Sequence, residues 1–214
     1  MILSLDTTSE YGSIALVDSR RLIGEVPIHA PDGFSHVLYG ELDSFLKREG
    51  VLLEQIDCFA AAAGPGSFTG VRVGLAAIKG LAEALGRLAV AVSNLRAIAY
   101  HGSASLRAAV LDARRGEVYG ALYNHDLELI GEEVVTKFTS WLATLPRSGV
   151  ELVATDLASF QHLIDPAIPV VTAPRALAGA VGQIASRAFA AGLACDPAAL
   201  DANYVRRSDA ELLS

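Results

Sequence analysis

The strongest constraint on this chain is that it repeats itself. Leu5-Asp6 is followed nine residues after the Asp by Ala15-Leu16, and Leu111-Asp112 is followed at the same distance by Ala121-Leu122. Leu22-Ile23-Gly24-Glu25 then matches Leu129-Ile130-Gly131-Glu132 with a one-residue offset. The segments around these matches read alike. Ile2–Asp6, Gly12–Val17 and Leu22–Val26 are short apolar runs separated by polar turns, the pattern of an antiparallel meander. A helix at Ser35–Arg48 follows, with Phe34, Leu38, Leu42 and Phe45 on one face and Gly50 as its stop. Then come a strand at Cys58–Ala63, a helix at about Thr69–Leu85, a strand at Leu88–Val92 and a short helix from Asn94. After Gly102 the order returns: strands at Ala108–Asp112, Glu117–Tyr123 and Leu129–Val135, a helix near Phe138–Leu145, a strand at Val150–Ala154, a short helix, a strand at Val170-Val171 and a long helix at Arg175–Ala191. This predicts a duplicated β-β-β-α-β-α unit, with lobes at residues 1–103 and 104–214 and the last segment packing back on the first lobe. It also predicts that Asp6 and Asp112 hold equivalent positions.

Such a unit resembles the α/β fold of actin, Hsp70 and the sugar kinases (RNase H-like), in which two lobes face a cleft. In those ATPases the first hairpin of each lobe lies near the phosphates. Asp6-Thr7-Thr8-Ser9 and Asp112-Ala113-Arg114-Arg115-Gly116 occupy those hairpins here. Fold alone does not assign function.

Composition narrows the field. At 52% hydrophobic and 19% charged residues, the chain has enough apolar material for a core and is not disordered. No apolar run reaches membrane-span length, and the N-terminus reads as a strand rather than a signal peptide. Cys58 and Cys195 form no metal or redox motif, consistent with reduced thiols and a cytoplasmic location. The net charge of −7, with basic residues scattered as Arg20-Arg21, Arg114-Arg115 and Arg206-Arg207, argues against this chain gripping nucleic acid alone.

The segment Gly64-Pro65-Gly66-Ser67-Phe68-Thr69-Gly70-Val71-Arg72-Val73-Gly74 follows a strand and opens a helix. Its glycines and Pro65 dictate a tight turn, and Ser67 or Thr69 can cap the helix. It is not a P-loop, since no Lys follows the last Gly and the spacing differs. Together with Leu5-Asp6-Thr7-Thr8-Ser9, Ser35-His36, Leu111-Asp112-Ala113-Arg114-Arg115-Gly116-Glu117-Val118-Tyr119 and Tyr204-Val205-Arg206, it resembles the TsaB (YeaZ) family across both halves of the chain. The resemblance implies a non-catalytic partner of the paralogue TsaD, which carries the metal and the transfer chemistry. With TsaB and the ATPase TsaE, TsaD moves threonylcarbamoyl to an adenosine beside the tRNA anticodon. It also implies homodimers of the isolated protein and contact with tRNA only through the complex.

The residues themselves speak against independent chemistry. No two of His29, His36, His101, His125 and His162 are four apart, so the paired imidazoles of a TsaD-type metal site are missing. Ser67 lacks the Gly-x-Ser-x-Gly elbow of a hydrolase. Thr7-Thr8 replaces the glycine that lets an ATPase loop approach phosphate. The rival function is autonomous nucleotide hydrolysis. Any nucleotide here is expected to be shared with the partner, through Asp6, Thr7, Gly66 and Ser67. The partner surface is expected on the first lobe, from His36, Leu38, Leu42 and Phe45 of one helix and Val71, Arg72, Leu75, Ile78, Lys79 and Leu81 of the next, because the second helix is apolar around most of its circumference.

Overall fold

The structure is a computed structural model that describes residues 1–205. Arg206 and Arg207, which figured in the sequence reading, lie outside the described residues. Ten strands and five helices run in the order β1 Ile2–Asp6, β2 Tyr11–Asp18, β3 Arg21–His29, α1 Leu38–Glu49, β4 Cys58–Ala62, α2 Phe68–Leu85, β5 Leu88–Val92, α3 Asn94–Ala99, β6 Leu106–Arg114, β7 Glu117–Asn124, β8 Leu129–Lys137, α4 Phe138–Leu142, β9 Val150–Ala154, β10 Val170–Thr172 and α5 Ala178–Ala190 among those residues. They build two five-stranded mixed sheets. One has the order β3-β2-β1-β4-β5, and the other, read from its far edge, has the matching order β8-β7-β6-β9-β10. In both, the first three strands pair antiparallel and the last two add in parallel. The fold is the duplicated α/β architecture expected from the repeat.

The chain divides into two compact units. The first comprises Met1–Asn94 and Arg175–Asn203, and the second Leu95–Pro174 with Tyr204 and Val205. This differs from a cut at residue 103. The helix that closes each repeat groups with the other unit: α3 from Leu95 onward belongs to the second, and α5 to the first.

In the first unit, β1 is paired on both sides and buried along its whole length, so it reads as an apolar run broken by Ser4 and ended by Asp6. One sheet face presents Leu3, Leu5, Ile14 and Leu16 to α1 and α2. Leu38, Leu42, Phe45 and Leu46 of α1 are all buried in that core, at the spacing of one helical face. The helix starts at Leu38 rather than Ser35, because Ser35 to Val37 form a turn, and Gly50 ends it in the left-handed conformation at φ 67.

The other face of this sheet is made of small side chains, and α5 lies on it. Ser4 Oγ donates to the Ala178 carbonyl at 2.7 Å, Ser13 Oγ accepts from the Ala178 N–H at 2.9 Å, and Glu25 Oε1 accepts from the Gly179 N–H at 2.9 Å. The strand residues thus satisfy N–H groups that a helix start leaves unpaired. A Cβ on Gly182 would sit 2.7 Å from Ser4 Oγ and 2.8 Å from Val17 Cγ2, so only glycine fits there.

The two repeats are not in the same register. Leu3 pairs with Leu16 and Leu5 with Ile14, whereas the corresponding core-facing pairs of the second sheet are Ala108 with Leu122 and Val110 with Gly120. The Ala15-Leu16 match to Ala121-Leu122 therefore holds in space, but β6 is displaced by one residue relative to β1. The position paired like Asp6 with Ser13 is Leu111 with Tyr119. A one-residue slip exchanges strand faces. Asp6 shares the α5-side face with Ser4, while Asp112, paired opposite Val118, is exposed at the strand end on the other face of its sheet. The expected equivalence of Asp6 and Asp112 is thus overturned. A bulge between Asp112 and Arg114 absorbs the difference in hairpin length.

The second unit packs Val118, Leu152, Phe138, Trp141 and Phe160 into its own core, with Gly120 lying directly beneath the Trp141 ring. Gly120→Ala should place a methyl into that ring. We expect a loss of about 1–3 kcal/mol in urea unfolding, from overpacking, with the Trp141 fluorescence transition moving to lower denaturant.

Candidate functional site

The turn after β1 and the glycine-rich start of α2 form one buried assembly in the first unit. Asp6 is 2% exposed, and its Oδ1 accepts from the Thr8 N–H at 2.9 Å and the Thr8 hydroxyl at 2.6 Å. Asn94 Nδ2 donates to Thr8 Oγ1 at 2.6 Å, and Asn94 Oδ1 accepts from the Gly64 N–H at 2.9 Å. Asn203 closes the far side by donating its N–H to the Ala63 carbonyl at 2.8 Å. The sequence reading missed Asn94 and Asn203 as members. Their signal was faint, an Asn opening a short helix and another in an irregular tail.

The glycines have a specific task here. Ser67 N–H donates to the Thr8 carbonyl at 2.6 Å, and Thr7 Oγ1 donates to the Gly70 carbonyl at 2.7 Å. Ser67 is the helix N-cap, accepting from the Gly70 N–H at 3.3 Å. A Cβ on Gly66 would lie 2.6 Å from the Thr8 carbonyl oxygen, one on Gly70 would overlap the Thr7 carbonyl, and one on Gly74 would sit 2.5 Å from Thr7 Oγ1. Asp6, Thr7, Gly66 and Ser67, expected near a shared nucleotide, are therefore brought into one region, each through its own contacts with Thr8 or Gly70. An open cleft of about 280 Å3 lies beside this assembly, between Ser9, Glu10, Phe34, Ser67 and Thr69.

Burial raises the Asp6 carboxyl above its ordinary value, against the lowering effect of its bonds to Thr8 and Asn94, and Glu25 adds repulsion. Burial likewise pushes the Cys58 thiol up to about 12, which leaves it protonated and unreactive. Among the described residues, no three His, Cys, Asp or Glu side chains group to hold a metal ion, and no helix is long and apolar enough to cross a membrane.

The expected partner residues separate into two sets. Leu38, Leu42, Phe45, Val71, Leu75 and Ile78 are in the core of the first unit, with Ile78 fully buried. They pack against their own sheet and cannot form a docking surface, because α2 buries one broad face internally. His36 and Arg72 are exposed, and Lys79 and Leu81 are half-buried. Arg72 lies over the exposed Phe68 ring at 3.7 Å. The exposed positions Arg72, Ala76, Gly80, Glu83 and Ala84 of α2 lie within less than half of the helix circumference.

Over residues 13–191 the sequence matches the family described as "TsaD: tRNA N6-adenosine threonylcarbamoyltransferase". It is 35% identical over 133 residues to the "tRNA threonylcarbamoyladenosine biosynthesis protein TsaB" of Escherichia coli (strain K12), covering 58% of this chain and 55% of that one. The chain belongs to this family, with the TsaB (YeaZ) proteins. A Bacillus subtilis (strain 168) TsaB is 33% identical over 150 residues, covering 67% of this chain and 65% of the relative. The matches thus span between about half and two thirds of the length of these TsaB relatives. The solved structure of YeaZ from Pseudomonas aeruginosa superposes with a TM-score of 0.83 at 27% identity, covering 95% of this chain and 98% of that chain.

Two outcomes test the assembly. Gly74→Ala should destabilise the chain even though Ala favours helices by about 1 kcal/mol over Gly, and Thr7→Ala in the same chain should recover part of the loss. A double-mutant cycle in urea measures that coupling. The second test is pH dependence. Because the folded-state value of Asp6 is raised, its contribution is most favourable below the ordinary Asp range and is lost as pH rises through the folded value. Asp6→Asn should therefore melt closest to wild type in acid and gain on it as pH rises toward 8.

Proposed function

We propose that this chain is a non-catalytic scaffold and activator of a TsaD-type transferase, in the reaction that places threonylcarbamoyl on the adenosine beside the tRNA anticodon. Its direct partner is the TsaD-type paralogue, a TsaE-type ATPase joins the assembly, and tRNA is met through the complex in the cytoplasm. Alone, the chain forms a homodimer through the same surface.

The observation that carries this reading is a pair of glycines, Gly40 in α1 and Gly80 in α2. Both lie inside helices, both are exposed, and a Cβ at either would meet nothing within 4 Å. Nothing among the described residues calls for glycine there, yet each weakens its helix by roughly 0.5–1 kcal/mol relative to Ala. Close approach by another helix supplies a reason, and Ala76 and Ala84 extend the small face of α2. The contact of Thr7 with Gly70 supports the absence of nucleotide turnover by this chain, since phosphate approach would require that packing to open.

Gly40→Ala with Gly80→Ala should stabilise the isolated chain by about 1–2 kcal/mol while weakening association with the paralogue. Ala76→Glu should abolish association and leave the fold intact. Calorimetric titration of purified partners, alongside urea unfolding, reads both effects. In a tRNA-modification assay with all partners, omission of this chain should abolish product. Partner-free ATP hydrolysis that disappears in Asp6→Ala would instead make the chain an enzyme of its own.

A further inference from the structure

The tip of the β6–β7 hairpin is strained and basic, and its arginine side chains are exposed. Arg114 and Arg115 have φ of 71 and 54, and Gly116 follows at 74. Arg114 pairs with Glu117, so Arg115-Gly116 is a two-residue loop with both central residues left-handed, and Arg114 is a left-handed residue between that loop and the bulge at Ala113. Asn-Gly is the pair that such a loop favours, and glycine is the residue that a left-handed position such as that of Arg114 favours. Two arginines stand there instead. A side chain held in the left-handed region by its surroundings marks a position where something other than backbone preference sets the residue.

The side chains are exposed, and the ion pairs of the described residues involve neither arginine. Lys137, at the end of β8, donates from Nζ to the Arg115 carbonyl at 3.0 Å, which adds a third cation to the tip. Two carboxylates face the group. Asp112 Oδ1 is engaged by the Arg114 N–H at 2.7 Å, and Glu117 lies at the base of the loop opposite Lys137. The outer end of the hairpin is therefore positive on a chain whose net charge is −7.

We infer that Arg114, Arg115 and Lys137 form a contact for phosphodiester groups of RNA. The inference rests on the reading of this chain as part of a tRNA-modifying complex and adds to it a direct, local touch on the nucleic acid. Arginine forks bind phosphate oxygens bidentately. A contact of this kind positions the RNA without reading its sequence. Two or three phosphates neutralised at one tip supplement a stronger grip elsewhere in the assembly, which is how an acidic chain takes part.

The test uses a variant in which strain and charge make opposite predictions. Arg114→Gly with Arg115→Asn supplies residues that the turn prefers and removes two charges. The full-length chain, alone and mixed with the TsaD-type paralogue, is titrated with an unmodified tRNA transcript at several salt concentrations, after co-elution of the two proteins has been checked. The variant should melt at a higher temperature than wild type. The slope of log affinity against log salt should fall in magnitude by about two, and Arg114→Lys with Arg115→Lys should keep most of the slope. An unchanged slope and affinity in both arms would overturn the contact. A variant that loses MgATP binding instead of tRNA binding would overturn the RNA assignment. Absence of co-elution would sink the scaffold reading while leaving the tip to stand or fall on the chain-alone titration.

Discussion

Everything around the first hairpin depends on how closely a helix start approaches a strand end. The backbone of α2 touches the Thr7-Thr8 turn without any side chain between them, which only Gly66, Gly70 and Gly74 permit. Through that approach the Thr7 hydroxyl reaches the Gly70 carbonyl, Ser67 reaches Thr8, and Asn94 links the turn to Gly64. The buried Asp6 carboxylate is tolerated because this network supplies its donors. A glycine-rich strand-to-helix junction can cradle an anion when its amides point outward. Here the same kind of junction packs against the Thr7-Thr8 turn of its own chain.

The duplication is plain in topology and broken in detail. The matching strand order of the two sheets comes from the repeat, yet one residue more in the second hairpin turns Asp112 to the opposite face from Asp6. The closing helices diverge further. α5 has 13 residues and docks on a sheet face of Ser4, Ser13, Ala15 and Val17, whereas α3 has six. Divergence after duplication has thus acted through length changes at turns and helix ends, while the central pairings were kept.

Much of the fold was legible in the sequence, because it is written in periodicity. The boundaries of β5 and β9 agree with the apolar runs, and the glycine stop after α1 lies where a left-handed residue is needed. The miss at Asp112 came from treating matched letters as matched register, although strand faces depend on pairing and pairing is not local. The misplacement of Leu75 and Ile78 came from α2 itself. Its exposed face sets Ala76, Gly80 and Ala84 among the charges of Arg72 and Glu83, so apolar composition alone did not separate that face from the packed one. Asn94 and Asn203 were hidden because each bonds a backbone 30 or more residues away.

The exchange of closing helices has a consequence for biosynthesis. The first unit is not finished when the ribosome has made its first 94 residues, since residues 175–203 supply the helix that covers half of its sheet. Until then the Ser4, Ser13, Ala15 and Val17 face is open and the donors of the α5 start are not there to meet it. The unit is therefore completed by the nearly full-length chain, and its stability depends on contacts of the longest sequence separation in the molecule, such as Ser4 with Ala178. Nascent chains of intermediate length expose a sheet face of small, uncharged residues, the kind of surface on which chaperones act during synthesis.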